Sequence, residues 1–304
     1  MTERNWALAR KHPLLAKRAR IIQTIRAFFI GEGFLEVETP HRIPANAPEP
    51  HIDAIESENW ALQTSPELAM KRLLAAGYPD LFQICKVWRQ GERGHRHLPE
   101  FTLLEWYRSG TDYRRLMNDC ISLLQILCPA GQLNWQGEKV DLNRSWELLT
   151  VTDAFDRYTQ LSVSEALSQN CFEELLTAEI EPHLGFGRPT FLTDYPHELA
   201  ALSRRKLGNP QVAERFELYL CGLELANAFS ELTDPAEQRS RFEGDEASRR
   251  QAGKRPWPLP EPFLAELPAM PESAGIALGI DRLVMLLTDQ AQIDDVVALS
   301  PEQL

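Results

Sequence analysis

The chain has 304 residues, of which 44 are acidic and 32 basic, for a formal charge of −12. Nucleic-acid affinity comes largely from Lys and Arg displacing counterions, so extensive nucleic-acid binding is disfavoured. A hydrophobic content of 43% and a charged content of 25% suit a globular protein with a large core, in one large domain or two small ones. No apolar run approaches the roughly 20 residues that cross a bilayer, and MTERNWALARKHP lacks the apolar centre of a signal peptide, which points to the cytoplasm and away from membranes. The 5 cysteines are scattered without a CxxC pair, so neither a disulfide framework nor a zinc site is indicated.

Leu14 to Phe29 carries apolar residues at helical spacing, with Gly31 and Gly33 as the stop. Phe34 to Thr39 alternates as a strand does and halts at Pro40. Residues 41–58, with Pro44, Pro48 and Pro50, read as a loop, followed by a short strand at Trp60 to Gln63. In TSPELAMKRLL, Ser65 is placed as a helix N-cap and Pro66 at the first helical position, with Glu67 in the first turn, where the helix dipole favours a carboxylate.

The stretch from Phe82 to Tyr107 reads as strand, basic loop, strand. Phe82, Ile84 and Trp88 share one face, while Gln83, Cys85, Val87 and Arg89 share the other. The loop from Gln90 to Leu98 crowds Arg93, His95, Arg96 and His97 together. After Pro99, Phe101, Leu103, Glu105 and Tyr107 fall on a single face. An arginine that can stabilise phosphate charge, a ring that can stack on a purine and a carboxylate that can bind an ammonium would suit a nucleotide and an amine. An ordinary hairpin with a solvated basic loop uses the same residues.

Amphipathic helices are predicted at Tyr113 to Leu127 and Val163 to Glu179, and PTFLTDYPHEL reads as a buried strand and a turn, with no catalytic constellation between Asp112 and Ala200. In RFELYLCGLELANAFSEL, strands flank Cys221 and Gly222, so a tight hairpin would bring Glu217 and Glu224 together. Two such carboxylates either lie on a solvated face or hold a cation such as Mg²⁺, which takes oxygen ligands and usually one or two protein carboxylates. A polar helix, a Pro-rich surface excursion and SAGIALGIDRLVMLL follow. In that last run Gly275, Ala277 and Gly279 make a smooth strand face ahead of a helix with Ile280, Leu283, Val284 and Leu287 turned inward.

GFLEVETP, the Phe82 to Tyr107 hairpin and GIALGIDRL resemble motifs 1, 2 and 3 of class II aminoacyl-tRNA synthetases, in that order, and TSPEL, PEFTLLEWY and ELANAFSEL are similar to the lysine-type members. The resemblance implies an α+β fold, one class II catalytic domain over 1–304 with an antiparallel active-site sheet flanked by helices, and a homodimer built through motif 1. It implies ATP as substrate and Mg²⁺ held by Glu217 and Glu224. Arg89 and Arg282 carry over as the catalytic arginines, Arg282 sandwiching adenine against Phe101. The remaining nucleotide contacts would be Gln90, Gly91, Glu92, Arg96, Leu98, Glu224, Leu225 and Gly279. Ser65, Pro66, Glu67, Glu105, Tyr107, Asn227, Glu231 and Ala277 would form the amino-acid pocket.

Two positions depart from the family pattern. Gly91 stands where R-x-E places its glutamate, with Glu92 next to it, and Leu98 replaces an asparagine before Pro-Glu-Phe, where its side chain cannot donate a hydrogen bond. The motif 1 helix begins near residue 14, which leaves no room for the OB-fold anticodon domain of lysyl-tRNA synthetases. The chain therefore resembles the elongation factor P lysine ligases, which attach β-lysine to a lysine of that translation factor, and Ala277 in place of a common glycine supports this. The resemblance implies elongation factor P as partner and makes tRNA a disfavoured one. A tRNA-directed enzyme and a non-catalytic paralogue are the alternatives.

Overall fold

The computed structural model describes residues 6–200 and 202–304, so the start of the segment read for a signal peptide lies outside the described residues. Helix α1, Trp6–Gly31, is longer than the periodicity from Leu14 predicts and contains Pro13. The residues before Pro13 include strong helix formers, Ala, Leu, Arg and Lys, and a proline near the helix start removes only one backbone hydrogen bond.

The main sheet has eight strands: β1 (Leu35–Glu36), β2 (Asp80–Trp88), β3 (Glu100–Ser109), β4 (Glu147–Thr150), β5 (Thr190–Thr193), β6 (Arg215–Leu220), β7 (Leu223–Ser230) and β8 (Ser273–Gly279). Their order is β1-β2-β3-β8-β7-β6-β5-β4. The six central strands are antiparallel to their neighbours, whereas the edge pairs β1–β2 and β4–β5 run parallel. The strand expected over Phe34 to Thr39 shrinks to Leu35–Glu36, although Val37 still donates its N–H to the Phe82 carbonyl.

Helices α2 (Glu67–Ala75), α3 (Tyr113–Leu127), α4 (Pro235–Gln251) and α5 (Ile280–Thr288) complete the frame. One sheet face, carrying Phe82, Leu104, Trp106 and Ile276, packs on α1, α3 and α5 in the largest core cluster. Phe29 sits at its centre, 5.0 Å from both the Phe82 and Trp106 rings. Alternation then turns Phe101, Leu103, Glu105 and Tyr107 to the opposite face, where the cavity lies, as predicted.

Between α3 and β5 the structure departs from the sequence reading. Val163 to Glu179 is not one helix. Val163–Ser168 is followed by Phe172–Leu175 and a π-helical turn, Leu176–Ile180. The break falls at Asn170, whose φ of 53° no continuing helix accommodates. Gln132–Trp135 and Glu138–Asp141 form a hairpin that was not foreseen, turning through Gln136 and Gly137, both at positive φ.

Beneath the cavity floor, Asp281 at the start of α5 is 2% exposed. It accepts the Thr102 N–H (2.7 Å) and pairs with Arg18 of α1 (2.5 Å). One carboxylate thus ties α1, β3 and α5 together. Breaking a buried pair on one side leaves an uncompensated charge, so Asp281→Ala is expected to cost about 3–5 kcal/mol in chemical denaturation. Asp281→Ala within 1 kcal/mol of wild type, as a rough experimental margin, would remove this tie from the account.

Candidate active site

A cavity of about 1010 Å³ opens on the sheet face formed by β3, β8 and β7. That is at the upper end of the roughly 300–1,000 Å³ typical of small-molecule sites. Its two ends differ in charge.

One end is acidic. Ser65 donates to Glu105 (2.6 Å) and accepts the Glu67 N–H (3.0 Å), so it orients a carboxylate and holds the first residue of α2, but the helix begins at Glu67 with Pro66 as its cap residue, one position later than predicted. Tyr107 donates its hydroxyl to the other Glu105 oxygen (2.8 Å). Behind them lies Lys71, one turn along α2 and 1% exposed, which bonds Glu67 (2.6 Å), contacts the buried Glu231 and sits 5.0 Å over the Phe229 ring. Burial disfavours the ammonium, but Glu231 and Glu67 outweigh it and raise the Lys71 pKa above its ordinary value. Burial and then the Glu67 charge push Glu105 up to about 8, against the hydrogen bonds from Ser65 and Tyr107.

Gly275 on β8 is demanded by packing here. A Cβ at this position would lie 2.2 Å from the Tyr107 ring and 2.4 Å from a Glu231 oxygen. Gly279 differs, because the nearest atoms to its would-be Cβ are those of Arg282 at 3.9 Å, leaving open floor.

The other end is cationic. The Arg89 guanidinium lies 5.2 Å over the Phe101 ring and 3.8 Å from Glu92. Arg282 donates to the Glu224 carbonyl (3.0 Å) and carboxylate (3.3 Å), to the Arg96 carbonyl (3.3 Å), and contacts His97. Burial, then Arg282, Arg89 and Arg96, hold His97 down at about 4, so it is neutral and can accept from Arg282.

Such a cavity can seat a phosphorylated, aromatic ligand against an amine. A family model described as tRNA synthetases class II (D, K and N) matches residues 6–303. The chain belongs to the class II tRNA synthetase family. It is also 38% identical, over 98% of its length and 98% of theirs, to proteins named elongation factor P--(R)-beta-lysine ligase from Salmonella arizonae, Salmonella gallinarum and Salmonella dublin.

Against that family's motifs, the cavity wall gathers Arg89, Gly91, Glu92, Arg96, Leu98, Phe101, Glu224, Leu225, Gly279 and Arg282 at the cationic end, and Ser65, Glu67, Glu105, Tyr107, Asn227 and Ala277 towards the acidic one. Four predicted residues lie off the wall. Gln90 points outward and engages the site only through its N–H to Asp53 (2.7 Å). Pro66 precedes the first turn of α2. Glu231 is buried behind Gly275 and Tyr107 with Lys71.

Glu217 is the fourth. Its carboxylate takes the hydroxyls of Tyr195 and Tyr219 (2.6 Å each) and the Arg215 guanidinium (2.7 Å). The expectation of two carboxylates without an internal cation is thereby corrected, since Arg215 supplies one. Cys221 and Gly222 do form the tight turn, both at positive φ, but a register shift at Leu218/Tyr219 pairs Glu224 with Tyr219 and Glu217 with Asn227. The two carboxylates are therefore diagonal neighbours across the β6–β7 pair.

The stretch from Asp112 to Ala200 also contributes more than was foreseen. Tyr195 bonds Glu217, and Glu173, His197 and Glu198 reach the cavity. Lys71 was missed although a lysine four residues after a helical glutamate is a readable pair.

With Glu105 near 8 when the site is empty, binding an ammonium favours its ionised form and releases a proton below that pH. Affinity for a diamine is therefore expected to rise with pH from 6 to about 8 and then level. Calorimetric titration in two buffers of different ionisation enthalpy reads the released proton. A pH-independent affinity, or the same slope in Glu105→Gln, would contradict this assignment.

Proposed function

We propose that this chain activates (R)-β-lysine with ATP and transfers it to a lysine side chain of elongation factor P. The observation that carries the reading is one cavity in which Glu67 and Glu105 face an arginine-lined floor, in a chain similar from end to end to elongation factor P--(R)-beta-lysine ligases. Its chemistry is that of an ATP-dependent ligase.

In the first step a carboxylate oxygen of the amino acid bonds to the α-phosphorus, the bond to the β-phosphate oxygen breaks, and pyrophosphate leaves. In this reading Arg89 stabilises charge on the phosphoryl oxygens, and Phe101 and Arg282 hold the base. Glu67 and Glu105 fix the substrate's ammonium groups, while Lys71 keeps Glu231 from standing as an unpaired buried charge. In the second step the acceptor amine bonds to the carbonyl carbon and AMP departs. The phosphates approach the β-hairpin of β6 and β7.

The donor set fits a magnesium ion. Glu224 faces the cavity, Glu217 keeps acceptor capacity on the oxygen that Arg215 shares, and burial, then Glu224 and Glu217, raise Glu181 to about 7, a sign of undercompensated negative charge. Glu224 and Glu217 would hold the ion, and bound Mg²⁺ would neutralise phosphate charge. Among the described residues no group of three or more His, Cys, Asp or Glu side chains stands ready as a metal site.

The reading includes a single catalytic domain and a homodimer through α1 and β1, where Ile30 and Leu35 are 60% and 48% exposed. It also includes a cytoplasmic location. Among the described residues no helix is long and apolar enough to cross a membrane. The net charge of −12 favours a protein acceptor over tRNA.

ATP–pyrophosphate exchange with (R)-β-lysine, (S)-β-lysine and α-lysine tests the first step. A preference of roughly tenfold or more for (R)-β-lysine is expected, the scale that one methyl group in a pocket supports. An α-lysine preference coupled to charging of tRNA would overturn the reading. Exchange with none of them would remove amino-acid activation from it.

A further inference from the structure

The loop before α2 reads from sequence as a proline-rich connection, yet Pro48 to Ile52 form part of the cavity wall. It is pinned from both sides. Arg249 of α4, 4% exposed, donates to the carbonyls of Glu49 (2.7 Å) and Ile52 (2.6 Å) and lies 3.2 Å from Asp53. Lys254 reaches the Pro50 carbonyl (2.8 Å) and the Asp53 carboxylate (3.0 Å). From the motif 2 side, the Gln90 N–H bonds the Asp53 carbonyl. Loops without such ties lose backbone order readily, so two cations directed at four residues of the loop fix a particular presentation.

What the clamp presents is Glu49. Its carboxylate has no hydrogen-bond or ion-pair partner among the described residues. It is half-buried on the cavity wall and otherwise enclosed by protein. The charged side chains that act on it, all lining the same cavity, are Arg89 at the end of β2, Glu67 of α2, Asp245 of α4 and Arg215 of β6. It therefore shares the cavity wall with both the arginine assigned to the α-phosphate and the carboxylate assigned to the substrate's ammonium. In an aminoacyl adenylate, the carbonyl carbon lies between those two groups.

We propose that Glu49 is the base of an acceptor-amine subsite, taking a proton from the incoming lysine side chain of the protein substrate so that the amine can attack the activated carbonyl. The inference rests on the reading under Proposed function. A lysine arrives as an ammonium, with an ordinary pKa near 10.4 and no lone pair to donate. One proton passes to the Glu49 carboxylate and on to solvent, and the N–C bond forms. The C–O bond to AMP then breaks, and the second amine proton leaves on a phosphate oxygen of the departing AMP. Burial, with Arg89 as the main opposing charge, raises the Glu49 carboxyl to about 7, which suits proton transfer near neutral pH. Among the described residues no hydrogen-bond or ion-pair partner competes for this carboxylate.

The test compares wild type with Glu49→Gln in three assays: ATP–pyrophosphate exchange with (R)-β-lysine, single-turnover transfer from preformed adenylate to elongation factor P, and the same adenylate with hydroxylamine, an amine already neutral at pH 7. Transfer to elongation factor P is expected to fall about 100-fold or more, the usual weight of a general base. Exchange and hydroxylamine attack are expected to fall by less than about tenfold. Wild-type transfer should level off above pH 7, while the variant's keeps rising with the fraction of free amine. Transfer by Glu49→Gln at the wild-type rate would overturn the proposal. So would equal losses with elongation factor P and hydroxylamine, which would mark a packing or binding role. Absence of exchange in wild type fails the parent reading instead, and is told apart because the variant is not involved.

Discussion

A buried ammonium that belongs to the protein itself governs the acidic end of this site. Lys71 is held between Glu67 and Glu231, with Phe229 beneath it. Without it, Glu231 would be a buried carboxylate with no other hydrogen-bond partner among the described residues, a costly state in a low-dielectric interior. With it, the negative charge offered to a ligand is what Glu67 keeps beyond its bond to Lys71, plus Glu105, whose own ionisation waits on a cation. On the proposed reading, the pocket is acidic enough to draw a diamine and restrained enough to fold without one.

Everything around that cluster serves to hold it in register. The β3–β8 pairing sets Gly275 opposite Tyr107 and Ala277 opposite Glu105, so the glycine gives the phenol and Glu231 their space. Asp281 ties β3 to α1 and α5 at the edge of the same cavity. The functional face therefore rests on an apolar face that is packed throughout, and the two are related by nothing more than strand alternation.

That alternation is why so much of the site could be read from the chain. Phe101, Leu103, Glu105 and Tyr107 share a face because a strand's side chains repeat every two residues, and β3 obeys this along its length. Arg215 was legible by the same rule, two residues before Glu217, but attention to the carboxylate pair passed over the cation beside it. Lys71 was legible by helical spacing. Glu49 was not, because an irregular loop has no period, and its position depends on Arg249 and Lys254 some 200 residues away. The register shift at Tyr219 has no period to betray it either, whereas the break at Asn170 is a local helix stop, an asparagine at positive φ just past the cap residue Gln169.

The most direct measurement is a denaturation double-mutant cycle on Lys71→Met, Glu231→Gln and the pair. If Lys71 is the counterion on which the chamber depends, Lys71→Met alone should lose about 3–5 kcal/mol, and adding Glu231→Gln should recover a large part of it. Equal stability of Lys71→Met and wild type, or strictly additive losses in the pair, would contradict the account.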